Sequence, residues 1–187
     1  MFTTPPKTKL TFEEYLTYDD GTDNRYELED GELILVNPPT GRHALIIYFL
    51  VNTFITEITR LQLPWAAMQL IGVRTAPRRS RLPDICIAPL EGIRDKLDVS
   101  AVIESDAALA VEIVSPDSVK RDYRFKRAEY ASFGIPEYWI VDPIEQKVTI
   151  LLLIEGLYEE TVYQGDAPIQ SQTFPELILT VSQILQV

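Results

Sequence analysis

LAVEIVSPDSVKRDYRFKRAEYASFGIPEYWIVD, residues 109–142, reads as strand, helix and strand in succession. Leu109–Val114 is a short apolar run of the kind a sheet buries on both faces. Ser115-Pro116-Asp117-Ser118 ends the run and offers N-cap residues for a helix through Ser132. Gly134 suits the left-handed position that closes such a helix, and Pro136 stands beyond it. Tyr138–Asp142 then returns to strand character, which makes the chain α/β.

Working outward, Met68–Thr75, Asp84–Ala88, Val148–Ile154 and Tyr158–Tyr163 are further strand-like runs, expected in one mixed, mostly buried sheet flanked by helices. His43 to about Leu61 is apolar on nearly every face and predicts a buried central helix. Toward the N-terminus, Thr11 and Glu14 have capping-box spacing for a short helix. Tyr26–Leu28 and Glu32–Val36 flank Asp30-Gly31 as a hairpin. Val181–Leu185 predicts a terminal helical turn. Without repeats or a flexible linker, residues 1–187 read as one domain.

The chain is 46% hydrophobic and 24% charged, which excludes disorder and fibre. The charge-free run His43–Thr56 is too short for the roughly 20 apolar residues of a bilayer span, so no membrane is expected. One cysteine, Cys86, excludes an intrachain disulfide framework, and MFTTPPKTKL has no apolar leader, so a cytoplasmic protein is expected. Cys86 lies in an apolar run and reads as core rather than nucleophile. The net charge of −11 argues against nucleic acid as a whole-chain average. Yet residues 61–127 hold 11 of the 17 Lys and Arg side chains against nine acids, so a polyanion would meet that third.

Two carboxylates interrupt apolar runs. Asp84 follows Pro83 at the mouth of one strand, and Glu112 stands inside Leu109–Val114. Buried carboxylates need a partner, and two at neighbouring strand ends would make an oxygen-ligand site for a divalent cation. The plainer readings are a turn residue for Asp84 and a solvent-facing edge position for Glu112. On the following helix, Val119, Tyr123, Lys126 and Tyr130 share one face at spacings of four, three and four. Lys126 either snorkels to solvent or reaches the two carboxylates, where its ammonium would orient water or stabilise a phosphate transition state. In the second case exchange for Met should spare folding. Lys120, Arg124 and Arg127 form the adjacent stripe, a phosphate track or a solvated face. Arg74, Arg78, Arg79 and Arg81 form a second basic cluster, expected in a loop before Asp84, and the two clusters are expected to make one positive zone beside the carboxylates. His43 reads as cap, packed residue or phosphate contact, with a structural role preferred. Glu27 is a candidate third acid, with Glu29 and Asp30 as neighbours.

The strings Arg25-Tyr-Glu-Leu-Glu-Asp-Gly-Glu-Leu33, Leu82-Pro-Asp84, Val111-Glu-Ile-Val-Ser-Pro116, Arg121-Asp-Tyr-Arg-Phe-Lys126 and Tyr130-Ala-Ser-Phe-Gly-Ile-Pro-Glu-Tyr-Trp-Ile-Val-Asp-Pro143, with His43 opening a helix, resemble the Uma-two family of the restriction-endonuclease-like PD-(D/E)XK superfamily. The resemblance spans about residues 10–185 and implies a restriction-endonuclease-like core. Asp84 and Glu112 match the first two acids of the superfamily pattern. Val114 occupies the usual lysine position, and the resemblance implies that Lys126 on the next helix replaces it, with Glu27 as a further acid. It implies Mg²⁺-dependent hydrolysis of DNA, with Mn²⁺ as an alternative ion, metal held by Asp84, Glu112 and the Ile113 carbonyl, and backbone phosphates tracked by the basic clusters. A nuclease fold without turnover, serving as a binding or regulatory module, is the second reading. Hydrolysis of a small phosphate ester, which the acidic charge suits, is the third. The apolar run Val148–Ile154 is compatible with a homodimer.

Overall fold

Thr11 caps α1 (Phe12–Leu16) through the reciprocal bonds with Glu14 that their spacing predicts. This computed structural model describes residues 9–187; residues 1–8, part of the stretch read for a leader, lie outside the description. β1 (Tyr26–Glu29) and β2 (Glu32–Leu35) close the predicted hairpin over Asp30 and Gly31, both at positive φ. Gly31 is needed there for a second reason. A Cβ would fall 2.8 Å from the Lys9 Cβ and 2.9 Å from the Leu10 carbonyl oxygen.

The long helix α2 (Gly41–Arg60) begins at its Thr40 cap. It buries Ile46, Ile47, Leu50, Phe54 and Ile58 but leaves Leu45, Tyr48 and Ile55 exposed, so it is two-faced rather than buried all round. No helix among the described residues is long and apolar enough to cross a membrane. The run expected as one strand from Met68 to Thr75 is two, β3 (Trp65–Met68) and β4 (Gly72–Ala76). The Arg74–Arg81 segment is a hairpin rather than one loop, with only Pro77 and Arg78 in its turn. It is the end of β4 and the strand β5 (Arg79–Arg81), paired antiparallel. β6 (Ile85–Pro89), α3 (Glu91–Arg94), β7 (Val102–Ile103) and β8 (Leu109–Ile113) follow.

Between β8 and β9 (Glu137–Asp142) the chain makes a π-helical segment, Arg121–Lys126, that passes into α4 (Arg127–Phe133) and stops at Gly134, φ +93°. The wider turn changes which face packs inward. Ser118, Asp122, Lys126 and Tyr130, spaced evenly by four, are buried, while Val119 is exposed and Tyr123 half-buried. The expected stripe is thus corrected in its first two members.

β10 (Lys147–Ile154), β11 (Leu157–Gln164) and α5 (Val181–Leu185) complete the chain. The strands form two mixed sheets, not one. The main sheet runs β11-β10-β9-β8-β6-β3, with β8 and β9 parallel; the smaller runs β2-β1-β5-β4-β7. The β1–β2 hairpin was read, but its membership of a second sheet escapes sequence reading because β5 and β7 are only three and two residues long and Arg79-Ser80-Arg81 has no apolar alternation. Val148, Ile150 and Leu151 are buried inside the chain's own main sheet, Leu152 and Leu153 are half-buried and Ile154 is exposed, so most of the apolar surface of this run is used within the chain.

The pleat sorts the main sheet's residues between two cores. Ile85, Ile87, Leu109, Val111, Ile113, Trp139 and Val141 pack under α2 and α5. Cys86, Ala88, Ala110, Val114, Tyr138 and Ile140 pack on the opposite face with Tyr130 and with Val73 of the smaller sheet. Glu112 alternates with Val111 and Ile113 and therefore points to this second face. Phe54 of α2 sits against Trp139 and Phe174 with ring centroids at 5.4 and 5.6 Å. Phe54→Ala should cost about 3–5 kcal/mol in denaturant unfolding, whereas Tyr48→Ala on the exposed face should stay within about 0.5 kcal/mol. Equal costs would contradict the two-faced helix.

Candidate active site

β8 lies between β6 and β9, which removes the edge-strand reading of Glu112. The antiparallel register pairs Ile85 with Val111, so one step further Asp84 stands opposite Glu112 at the end of β6. Asp84 takes the place of a ladder partner there, its Oδ2 accepting from the Ile113 amide at 2.7 Å. Its Oδ1 meets Nε2 of His43 at 2.9 Å, and His43 is fixed in the first turn of α2, its own amide donating to the Thr40 hydroxyl. Asp84 is thus more than a turn residue, and with its side chain 22% exposed it forms the open rim of the site.

Glu112 lies at the floor. Its Oε1 accepts from the Tyr130 hydroxyl at 2.7 Å and its Oε2 pairs with the Lys126 ammonium at 2.8 Å. Burial pushes its carboxyl up to about 8, with Lys126 pulling the other way and Asp122, Asp84 and Glu27 adding to the rise. Lys126 is 4% exposed and does not snorkel. Besides Glu112, its Nζ stands 3.2 Å from Glu27 and 3.9 Å from Asp122. Burial opposes its charge, but Glu112, Glu27 and Asp122 outweigh burial and hold it above the ordinary lysine range. Glu27, between the hairpin neighbours Tyr26 and Leu28, is the N-terminal acid that enters; burial raises its carboxyl, but Lys126 and Arg81 together bring it below its ordinary value. Asp122 is raised by burial, and its Oδ1 is buried without a hydrogen-bond partner. Its Oδ2 accepts from Ser118.

The basic residues divide. Arg81 is corrected outright as a phosphate contact: it is wholly buried, held by Glu129, Glu27 and Glu29. Arg74 lies over the Phe12 ring and pairs with Glu104, and Arg79 pairs with Asp30. Arg127 donates to Glu160 and to the Tyr158 carbonyl. Arg78, Lys120 and Arg124 are exposed. The single positive zone is therefore reduced to separate side chains, because Arg74, Arg79, Arg81 and Arg127 are spent on the chain's own carboxylates. Cys86 is a buried free thiol that burial pushes up to about 12, as a core residue requires.

Sequence reasoning missed Asp122, Glu129 and the hydrogen-bonding role of Tyr130. The even spacing of Ser118, Asp122, Lys126 and Tyr130 was the available signal.

Among the described residues no three His, Cys, Asp or Glu side chains form a ready cation cage. Asp84, Glu112 and the Ile113 carbonyl offer instead a small set of hard oxygen donors, the kind of set on which Mg²⁺ keeps several waters. Four carboxylates, Asp84, Glu112, Glu27 and Asp122, share the region with Lys126 and with an Arg81 already claimed by Glu129 and Glu29. The excess negative charge and the raised Glu112 carboxyl fit a site completed by a divalent cation.

No protein with a curated description matches the chain. The fold is similar to the crystal structure of a "putative nuclease belonging to DUF820" from Anabaena variabilis, with TM-score 0.78 and 22% identity, over 95% of this chain and 98% of that one. The family model Uma2, described as "Putative restriction endonuclease", matches residues 12–182. By that match over nearly its whole length, the chain belongs to the Uma2 family of restriction-endonuclease-like nucleases.

Proposed function

We propose that the chain hydrolyses phosphodiester bonds of DNA, with Asp84, Glu112 and the Ile113 carbonyl holding Mg²⁺ or Mn²⁺ and Lys126 completing the site. The observation that carries this reading is the Lys126 ammonium, 2.8 Å from Glu112, beside a carboxylate that ends the neighbouring strand. A bound divalent cation would polarise the phosphoryl oxygen and favour ionisation of a water.

Lys126 is placed to hold the attacking water and to offset negative charge developing on the phosphate, a role worth a few kcal/mol. Glu112 and Glu27 fix the ammonium from two sides, so it needs no reorganisation when charge develops. Tyr130 steadies Glu112 by donating its hydroxyl to Oε1. His43 does the same for Asp84 from the rim. Exposed Lys120, Arg124 and Arg78 are the proposed contacts to backbone phosphates, a use that needs only charge and reach.

Incubation with plasmid, linear and branched DNA under Mg²⁺, Mn²⁺ or EDTA tests the reading. Cleavage should need the cation and vanish in Glu112→Ala. An intact, folded protein that binds DNA but cuts none of these would favour the inert module, and turnover of small phosphate esters alone would replace DNA as substrate.

Lys126→Met should lower cleavage by about 10² or more, and the buried carboxylates make it costly to folding as well, contrary to the sequence expectation. Removing one partner from a buried ionic cluster costs about 3–5 kcal/mol. Without Lys126 to oppose it, burial carries the Glu112 carboxyl above the value of about 8 it has in the parent, so the deficit should grow as pH is raised above 8 and level off below it in urea unfolding. A deficit that grows toward acid would contradict this. Lys120→Met should keep the chemical step and weaken binding with a shallower salt dependence.

A further inference from the structure

Glu27 touches two buried cations, and only one of them, Lys126, belongs to the site described above. Its Oε2 accepts from Nη1 of Arg81 at 3.0 Å, and its Oε1 accepts from the Leu82 amide at 3.1 Å while facing Lys126 at 3.2 Å. Arg81 is the only wholly buried arginine among the described residues, and its guanidinium is held as a fork. Nε and Nη2 donate to the two oxygens of Glu129 at 2.8 and 2.6 Å, and Nη1 also meets Glu29 at 3.1 Å. Glu129 is itself pinned by the Thr75 hydroxyl at 3.0 Å.

A planar fork with both teeth engaged has one orientation, unlike the point charge of a lysine. The contacts form a continuous line across both sheets. It runs from Thr75 of β4 through Glu129 of α4, Arg81 of β5 and Glu27 of β1 to Lys126 and Glu112. The Arg81 end of this line is closed to solvent, so no phosphate reaches it.

Building on the nuclease reading, we propose that Arg81, oriented by Glu129, is a positioning residue that acts through Glu27 to set where the Lys126 ammonium stands. Glu27 bound only to Lys126 would be free to follow it. Glu27 bound also to Arg81 and to the Leu82 amide is a fixed post. The ammonium is then held at a set place between Glu27 and Glu112. The same connection explains why the smaller sheet is docked here: β1 and β5 deliver the post and its brace, and Leu82 leads directly to Asp84.

The test uses Arg81→Lys, which keeps the charge and loses the fork, with Glu129→Gln as a second variant that leaves Arg81 in place. Two readouts are taken on folded protein. In nitrogen-15 lysine spectra the Lys126 ammonium, recognised by its absence in Lys126→Met, should give a solvent-protected signal that shifts or broadens in both variants. In cleavage assays kcat should fall about tenfold or more with KM and the salt dependence of DNA binding unchanged. Combining Arg81→Lys with Glu27→Gln should cost no more activity than the worse single change, since both act on one contact.

An unchanged ammonium signal in both variants overturns the proposal, whatever the protein does to DNA. A shallower salt dependence in Arg81→Lys overturns it in favour of a phosphate contact, and a lower melting temperature with unchanged kcat overturns it in favour of a merely structural pair. If the parent protein cuts nothing, the nuclease reading fails, and the spectra still decide whether Arg81 places Lys126.

Discussion

A single ammonium group, that of Lys126, is buried among Glu112, Glu27 and Asp122, and each of those acids comes from a different part of the chain. Glu112 is in the middle of the main sheet, Glu27 in the N-terminal hairpin and Asp122 one turn before the lysine. A charge taken out of water is tolerated only when its partners are close and themselves satisfied. The contact therefore ties the register of β8, the docking of the smaller sheet and the winding of the helix to one another. Any one of them out of place would leave an ion without its counterion.

The π-helical segment is the local device that makes this possible. A regular helix from Ser118 would turn Val119 and Tyr123 inward with Lys126; the wider turn brings in Ser118 and Asp122. Asp122 is then buried beside the lysine and held by Ser118, while the Tyr138 hydroxyl takes the Asp122 carbonyl at 3.1 Å. Irregular turns of this kind recur where a side chain must be aimed. On the strand side the device is simpler, because period-two alternation sends Glu112 to the face where the helix lies.

Asp84, Glu112 and Lys126 were singled out because each is a charge in an apolar setting, but that setting left their plainer readings open, and the family resemblance was what grouped them as one site. The strand–helix–strand unit was legible because Pro116, Gly134 and Pro136 punctuate it. The joining of the N-terminal hairpin to β5, β4 and β7 in a second sheet was not, and neither was the fate of Arg81. Arg79-Ser80-Arg81 looks like solvated loop until Glu27 and Glu129, which lie 54 and 48 residues away in sequence, are brought to it. Charge counting along the chain likewise placed a positive zone in the middle third. It could not show that Arg74, Arg79, Arg81 and Arg127 are each paired with acids from distant segments. The exposed face of α2 was misread because apolar residues on every side of a helix say how much could be buried, not how much neighbouring elements cover.

On the proposed reading, the carboxylates around Lys126 carry more negative charge than the protein itself neutralises, and a divalent cation would complete them. Titration calorimetry of the protein with Mn²⁺ or Mg²⁺, repeated in buffers of different ionisation enthalpy, measures both binding and the protons released. With burial holding the Glu112 carboxyl up to about 8, binding at pH 7 should expel a substantial fraction of a proton, and binding at pH 9 should be tighter and expel almost none. Glu112→Gln should abolish the release. Binding with no proton release at pH 7, or binding that survives Glu112→Gln unchanged, would contradict the account.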